Sequence, residues 1–180
     1  MVKELPNKKY ATVYIDPPWY ERGAGKFKRG ADKHYKLLKT DEMIDITNQV
    51  LENKIADNAH CYLWVTNNHL PDGLKLMESL GFVYKTNLVW AKTHFGIGRY
   101  FRGQHELCLF GVKGRGFAAT VKTNLNNVST LVGKNLLKKR AHSQKPEEMY
   151  ALIESRSYGP YVELYARDTR INWDVWGEEV

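Results

Sequence analysis

The stretch IDPPWY, residues 15–20, decides the fold of this chain. It follows the run Tyr10–Ile15, whose β-branched and aromatic residues predict a buried strand. Pro17 and Pro18 cannot continue a central strand, because proline lacks a backbone N–H and has a fixed φ. The strand must therefore end at Asp16, which leaves a carboxylate, two rigid carbonyls and two aromatic rings at its carboxyl end. In open α/β sheets, ligands bind at that edge.

Strand and helix patterns alternate along the rest of the chain. Thr40 is expected to cap a helix with acids in its first turn, whose apolar face comprises Met43, Ile44, Val50, Leu51 and Ile55. Gly81 is expected to end a second helix at about residues 70–80. Further elements are a helix that begins at Lys145-Pro146, and strands at Ala59–Val65, Phe82–Ala91, Glu106–Val112, Val128–Val132 and Tyr161–Ala166. This alternation predicts an α/β fold with a mostly parallel sheet covered on both faces.

Length and composition indicate a folded globular protein. The 180 residues, 43% hydrophobic and 12% aromatic, suit one domain over residues 1–180. No run has the length of a membrane span, and the N-terminus lacks the apolar core of a signal peptide. We therefore expect a cytoplasmic protein with no membrane partner, the nucleus being left open for a eukaryotic source. Cys61 and Cys108 have no partners at zinc-ligand spacing, so we expect buried thiols and no metal site.

The net charge of +7 is concentrated in two basic stretches. Residues 107–146 contain no acid, and residues 22–39 contain only Asp32. The basic residues of the two stretches are Arg22, Lys26, Lys28, Arg29, Lys33, Lys36, Lys39, Lys113, Arg115, Lys122, Lys134, Lys138, Lys139, Arg140 and Lys145. Cations interleaved with Gly, Asn and Ser predict loops that contact the phosphates of a nucleic acid. The alternative is a solvated surface that keeps the protein soluble.

The stretch that decides the fold also suits one kind of chemistry. The Asp16 carboxylate and the Pro17 carbonyl are hydrogen-bond acceptors beside an aromatic plane, and they suit an amino group on a planar ring. Two fixed acceptors would hold the N–H groups of an adenine amine while Trp19 stacks on the base and Tyr20 assists. A sulfonium methyl donor would need no metal. The alternative is a rigid turn that ends a strand and carries a surface Trp.

The sequence resembles the MT-A family of adenine N-6-methyltransferases. The Asp-Pro-Pro-Trp motif of that family matches Asp16–Trp19. The similarity extends in the family's order over nearly the whole chain, through His34-Tyr35, Leu63–Asn67, Gly81-Phe82, Trp90–Lys92, Arg102–Glu106, Leu109–Gly114, His142–Glu147, Glu163–Arg167 and Trp173–Gly177. The resemblance implies a Rossmann-like fold that uses S-adenosylmethionine, in which the catalytic Asp-Pro-Pro-Trp segment precedes the cofactor-binding strand.

The resemblance also implies roles for individual residues. The catalytic ones would be Asp16, Pro17, Pro18 and Trp19. The cofactor would be bound by Asp16, Lys145, Glu163, Arg167 and Glu178, with Lys145 on the methionine carboxylate or the substrate side and Glu163 on the ribose hydroxyls. The substrate would be bound by Tyr20, His34, Tyr35, Lys92, Arg102 and Glu106.

Three charged residues of this set also have interpretations that involve no ligand. Glu163 would be an exposed strand residue, Lys145 a solvated lysine at a helix start, and Glu106 an ion-pair partner of Arg99 or Arg102.

The chain departs from the family pattern at two places. Family tails read Trp-Gly-Asn-Glu, with the Asn near the adenine of the cofactor, whereas Glu178 stands at that position here. Longer members have an upstream strand that supplies an acid near the cofactor, and only residues 1–9 precede the first strand here. Glu4 is a candidate substitute for that acid.

The function expected from the sequence is S-adenosylmethionine-dependent methylation of the N-6 amine of adenine in nucleic acid, on a base that is flipped out or already unpaired. DNA is favoured over RNA, because the chain is compact and lacks appended RNA-binding modules. A homodimer or pairing with a related subunit is left open. The alternatives are a catalytically silent nucleic-acid-binding subunit of a methyltransferase pair, and methylation of an amide in a protein or small molecule.

Overall fold

The computed structural model describes residues 4–19, 39–92, 95–96, 100–115, 130–132, 145–177 and 180. The strands are β1 (Tyr10–Ile15), β2 (Ile55–Val65), β3 (Val83–Ala91), β4 (His105–Lys113), β5 (Thr130–Val132), β6 (Tyr161–Leu164) and β7 (Trp173–Trp176). The helices are α1 (Thr40–Val50), α2 (Leu70–Ser79) and α3 (Glu148–Arg156), and a single tight helical turn, Asn67–His69, precedes α2.

These strands form one seven-stranded sheet in the order β5-β3-β4-β2-β1-β6-β7. In the described part of the chain, β4 is antiparallel to both of its neighbours and every other pairing is parallel. The chain runs from β1 to β2 on one side and later continues from β6 to β7 on the other. The strand order therefore reverses between β1 and β6, and the crevice beside such a reversal is where open α/β sheets bind ligands. The predicted mostly parallel, Rossmann-like α/β sheet is confirmed.

Helices cover both faces of the sheet, as the alternation of patterns predicts. On one face, Val13 and Ile15 of β1 pack in a cluster with residues of α1 and α2 such as Met43 and Leu76. On the other face, Tyr14 packs in a second cluster, which includes Met149 and Ile153 of α3. Successive residues of a strand point to opposite faces, so β1 contributes to both clusters and is buried on both sides.

The cysteines and the prediction for membrane spans have plain outcomes. Cys61 and Cys108 are buried thiols without a disulfide, as predicted. No helix in the described ranges is long and apolar enough to cross a membrane.

Four sequence predictions about local structure were wrong. Thr40 is the first helical residue rather than the cap, because the Met43 N–H donates to the Lys39 carbonyl. Ile55 begins β2 instead of lying on α1, since the chain turns through Asn53, whose φ is +56°. The strand expected over Tyr161–Ala166 ends at Leu164, where Tyr165 adopts a left-handed φ of +61°. Finally, the helix expected to begin at Lys145-Pro146 begins at Glu148. The strand β7 was not predicted.

The end of α2 confirms the prediction for Gly81. Its φ is +81°, its N–H donates to the Glu78 carbonyl, and the Phe82 N–H donates to the Met77 carbonyl. This pair of bonds is the Schellman arrangement that glycine favours after a helix. The prediction placed this helix at about 70–80, within one residue of its observed end at Ser79.

Gly73 sets how closely α2 approaches the end of β2. A Cβ at this position would lie 2.3 Å from Cγ1 of Val65, the last residue of β2. Val65 is buried and β-branched, so its side chain has little freedom to move away. The contact fixes the part of β2 that carries Trp64 and Val65 to the helix behind it.

We predict that Gly73→Ala lowers the free energy of unfolding by about 1–3 kcal/mol because of this overlap. At an unobstructed position inside a helix, the same substitution stabilises a protein by about 0.5–1 kcal/mol, so the sign of the change is diagnostic. Urea denaturation followed by circular dichroism measures it. Lys75→Ala, on the exposed side of the same helix, is the matched control and should change the stability by less than about 0.5 kcal/mol. A stabilised Gly73→Ala protein would contradict the account.

Candidate active site

Asp16 lies directly after β1, at the reversal of strand order. Its carboxylate accepts hydrogen bonds from Lys145 Nζ at 2.7 Å and 2.8 Å, one on each oxygen. Both side chains are largely buried, with Lys145 at the beginning of the segment that leads into α3. The pair joins positions 129 residues apart in the sequence. The largely buried carboxylate at this edge thus has a lysine ammonium as its partner, which is a compact charge on a flexible side chain.

Glu106 extends this pair into a row of alternating charges. Its carboxylate contacts Lys92 Nζ through Oε1 and lies 3.6 Å from Lys145 Nζ through Oε2. Burial alone would raise the pKa of Glu106, but the two lysines outweigh it and hold the pKa below the ordinary value. Lys92, Glu106, Lys145 and Asp16 therefore form a row of cation, anion, cation and anion along the edge of the sheet.

Aromatic rings line the same edge. The Trp19 ring is 7% exposed, donates from Nε1 to the Trp64 carbonyl at 2.9 Å, and stacks on His69 with ring centroids 5.2 Å apart. Trp64 in turn donates from Nε1 to the Tyr14 hydroxyl at 2.7 Å, and Lys145 Nζ lies 5.5 Å from the centroid of its ring. These hydrogen bonds fix two tryptophans and the backbone around Asp16 as one rigid wall.

Glu163 lies on β6, the neighbour of β1, in register with Tyr14. It is 7% exposed, and the Tyr150 hydroxyl of α3 lies 2.9 Å from each of its carboxylate oxygens. Burial raises the pKa of Glu163 to about 7; the Tyr150 hydrogen bond opposes this shift, while the charge of Asp16 adds to it. An acid held in this state is poised to accept hydrogen bonds from a ligand.

Contacts with a cation and with two aromatic rings fix the orientation of the Tyr150 ring. The Arg170 guanidinium lies 3.7 Å from the ring centroid and forms an ion pair with Glu147. Tyr150 also packs edge-on against Tyr14 and Trp173, with centroids 5.4 Å away in both cases. Glu163 is thus oriented by a residue that is itself locked by a cation and two aromatic rings.

A cavity of about 300 Å³ lies beside β7, which is the strand next to β6. It is lined by residues that precede β1 and by residues around β7, namely Glu4, Pro6, Thr169, Trp173, Asp174, Val175, Trp176, Gly177 and Val180. A Cβ on Gly177 would lie 2.3 Å from the Ala166 carbonyl oxygen, so the chain segments after β6 and β7 approach as closely as glycine permits. Glu4, the candidate acid from the short N-terminal segment, lies in this wall.

The structure brings several of the predicted residues together. Lys92, Glu106, Lys145 and Asp16 each contact the next residue in the row, and Glu163 lies on the adjacent strand. Glu106 pairs with Lys92 and Lys145, whereas the Arg102 guanidinium lies 4.9 Å from the centroid of the Phe95 ring. The alternative that Arg102 is the partner of Glu106 was therefore wrong, and Arg99, the other residue of that alternative, lies outside the described residues. Arg167 is partly buried just after β6.

Several predicted site residues lie outside the part of the chain that the structure describes. Tyr20, His34, Tyr35 and Glu178 lie outside the described residues, as does most of both basic stretches. Pro17 is buried and Pro18 partly buried, directly after Asp16. Within the described ranges, no group of three or more metal-ligating side chains occurs.

Sequence reasoning missed four residues of the site: Trp64, His69, Tyr150 and Arg170. Trp64 belongs to the second core cluster, and Tyr150 packs against it. A usable signal was the spacing of Glu147 and Tyr150, three residues apart at the start of a helix and hence on one face. Nothing local in the sequence pointed to His69 or Arg170.

Comparison with known proteins shows which family this chain resembles. The MT-A70 family model matches residues 10–179. The type II methyltransferase M.MunI from a Mycoplasma species is 31% identical, over 98% of this chain and 80% of that protein. The human N(6)-adenosine-methyltransferase catalytic subunit METTL3 is 28% identical and a Drosophila melanogaster MT-A70-like protein 29%, each over 96% of this chain. The chain spans only about a quarter of the length of these two larger relatives.

The pKa of Glu163 makes a prediction for stability against pH. The folded-state pKa of Glu163, about 7, lies above the ordinary value of 4.5. The contribution of Glu163 to the free energy of unfolding is therefore fully present below pH 4.5 and is lost as the pH rises to about 7. Glu163→Gln, which mimics the protonated acid, should remove the loss. Relative to this variant, the native protein should lose about 2–4 kcal/mol of unfolding free energy between these pH values.

Denaturant unfolding of both proteins at a series of pH values measures the difference. Using the difference cancels the opposite contribution of His60, whose pKa is lowered to about 4, mainly by burial. Parallel profiles for the two proteins would show that Glu163 does not titrate in this window.

Proposed function

The chain belongs to the MT-A70 family, and on that premise we propose that it transfers a methyl group from S-adenosylmethionine to the N-6 amine of adenine in nucleic acid. It is an enzyme of the adenine N-6-methyltransferase class. The substrate, the cofactor and the roles of the residues are the proposal.

One observation carries the proposal. Asp16 and Glu163 lie at the carboxyl ends of two adjacent parallel strands, β1 and β6, on either side of the point where the strand order reverses. Each is partly or wholly buried and separately oriented, Asp16 by Lys145 and Glu163 by Tyr150. Two acids in this relation suit two ligands side by side, one with hydroxyl groups and one with an amine.

The residues around Glu163 fit the cofactor. An acid at the end of a strand next to the reversal is a common partner for ribose hydroxyls. The raised pKa of Glu163 reflects burial near another acid, and hydroxyl donors from a ligand would relieve that cost. The cavity beside β7 lies on the side of Glu163 away from Asp16 and offers a partly open space for a ring. Lys145 and Arg167 supply positive charge for a carboxylate.

When bound, S-adenosylmethionine would supply an electrophilic methyl group on a positively charged sulfur, and that sulfur would keep the electron pair of the broken bond. The lone pair of the adenine amine is delocalised into the ring, so the amine is a weak nucleophile. Asp16 and the Pro17 carbonyl accept its two N–H bonds and hold the nitrogen toward the methyl group. The nitrogen becomes cationic as it reacts, and the negative Asp16 stabilises that charge. The methylated nitrogen then loses one of its protons through the Asp16 carboxylate to water, which leaves the neutral N-6-methyl amine.

Lys145 has a part in the same step. It occupies both oxygens of Asp16, so an incoming amine must take over at least one of them. Glu106 Oε2, 3.6 Å away, is an alternative partner for the ammonium group. Lys145 therefore shifts toward Glu106 when the amine binds, and its charge stays in the site throughout.

DNA is the favoured substrate. M.MunI, which this chain matches over 80% of its length, is named a type II methyltransferase. The relatives named for adenosine, the ribonucleoside, are three to four times longer than the region that matches. The match to M.MunI covers most of that protein, whereas the match to the longer relatives covers about a quarter of each of them. The basic stretches of this chain suit a phosphate backbone. The basic stretches also count against the methylation of a protein amide.

Substitution of Asp16 tests the proposed reaction. Purified protein is incubated with S-adenosylmethionine and either DNA or RNA, and the digested nucleosides are analysed by mass spectrometry. We expect N-6-methyladenine in DNA, and a loss of about 10²-fold or more with Asp16→Ala and Asp16→Asn, because both remove the charged acceptor. Asp45→Asn, on the exposed side of α1, is the control and should retain activity. Methyladenine formation that survives Asp16→Ala would refute the role of Asp16.

Cofactor binding separates an enzyme from a catalytically silent subunit. Isothermal titration calorimetry should detect S-adenosylmethionine binding to the native chain, weakened about 10- to 100-fold in Glu163→Ala, since hydrogen bonds to a charged group are lost. Glu78→Ala, an exposed acid on α2, should bind as the native chain does. If the native chain binds no cofactor, the silent-subunit alternative is correct.

A further inference from the structure

The segment between β3 and β4 carries the most exposed aromatic side chains of the described residues. Tyr100 is 95% exposed and Phe101 is 92% exposed, and Phe95 in the same segment is also exposed. Large aromatic rings in water are costly, and a cluster of them marks a surface that contacts something else. Nothing in the proposed methyl transfer uses these three rings.

The backbone places this segment at the edge of the sheet that carries the active site. Beyond the ends of the two strands, the Lys92 N–H donates to the Gln104 carbonyl at 2.8 Å and the Gly96 N–H donates to the Gly103 carbonyl at 2.7 Å. The two arms therefore stay paired as they leave the sheet at the edge that carries Asp16. Lys92 and Glu106, at the base of the arms, belong to the row of charges. Phe101 precedes Glu106 by five residues, so the backbone between them spans at most about 16 Å.

The charge around these rings indicates the class of partner. The Arg102 guanidinium lies over the Phe95 ring, 4.9 Å from its centroid, so a cation is part of the aromatic cluster. Rings together with an arginine suit bases flanked by phosphates, since bases stack on the rings and the cation faces the backbone. The net charge of +7 favours an anionic partner.

The charge of the cluster favours a nucleic acid over a second protein chain as its partner. Arg102 lies among the rings, and the chain carries a net charge of +7, so the surface suits the phosphates and bases of a nucleic acid.

We propose that Tyr100 and Phe101 form a wedge that enters the base stack of duplex DNA beside the target adenine and fills the space which that base vacates. This inference rests on the proposed function. The amine of adenine is hydrogen-bonded in a base pair, so the base must leave the duplex to reach Asp16. Stacking of an aromatic ring on the remaining bases offsets part of the cost of extrusion.

The test compares one DNA in two forms, as a duplex and as heat-denatured single strands, with the methyl transfer assay described for Asp16. On the duplex, Phe101→Ala and Tyr100→Ala should each lower kcat/KM about 10-fold, and the double variant about 100-fold, because each ring stacks on a base. On single strands all three variants should stay within about 3-fold of the native chain, since no stack has to be opened. Phe101→Trp, which keeps a ring, should retain the activity on the duplex.

Tyr84→Ala is the matched control, because Tyr84 is also an exposed aromatic residue on the arm of β3 but lies about 23 Å along the strand from Ala91. It should leave both activities unchanged. An equal loss on duplex and single strands, or no loss on either, would overturn the wedge. A native chain that methylates single strands alone would overturn the wedge and leave the proposed function standing. No methyladenine in either form of DNA or in RNA would refute the proposed function itself.

Discussion

A single backbone hydrogen bond, from the Asp16 N–H to the Leu164 carbonyl at 3.4 Å, is the last link between β1 and β6. Beyond it, Pro17 and Pro18 end β1, because neither has an N–H to offer to a neighbouring strand. The Trp19 N–H instead closes a turn onto the Pro17 carbonyl at 2.9 Å. This abrupt end in the middle of the sheet places the Asp16 carboxylate beside the strand that carries Glu163, and the rest of the site is arranged around it.

The electrostatics of the site follow from this position. An isolated carboxylate buried at the edge of a sheet would be unfavourable, and Lys145 neutralises it from a segment far away in the sequence. Glu106 and Lys92 extend the neutralisation outward. Glu163 is different, because its immediate partner is the neutral Tyr150 hydroxyl and its pKa is raised. In the proposed reaction, Asp16 would exchange its Lys145 partner for an amine, whereas Glu163 would accept hydroxyl groups.

The sequence predicted the parts of the fold that depend on local chemistry. The end of β1 follows from two prolines, and the end of α2 follows from the left-handed preference of Gly81. The resemblance to adenine methyltransferases singled out Asp16, Lys145, Glu106 and Lys92, and the structure brings them into contact. Their roles in catalysis stay predictions.

What the sequence did not show depends on contacts between distant segments. The Lys145–Asp16 pair and the Tyr150–Glu163 pair exist only because α3 packs beside β1 and β6. The sequence predicted that the Trp19 ring stacks on a base. In the structure this ring donates to the Trp64 carbonyl and stacks on His69, and it is mostly buried. The strand β7 was missed because it is only four residues long and is defined by its pairing with β6.

The central claim is that β1 and β6 hold the two halves of one site, the amine on Asp16 and the cofactor on Glu163. A crystal structure with S-adenosylhomocysteine, the product of methyl transfer, tests it most directly. The account predicts ribose hydroxyls within hydrogen-bond distance of the Glu163 carboxylate and a sulfur atom that faces Asp16. A ligand bound away from Glu163, or one whose sulfur points away from Asp16, would contradict the account.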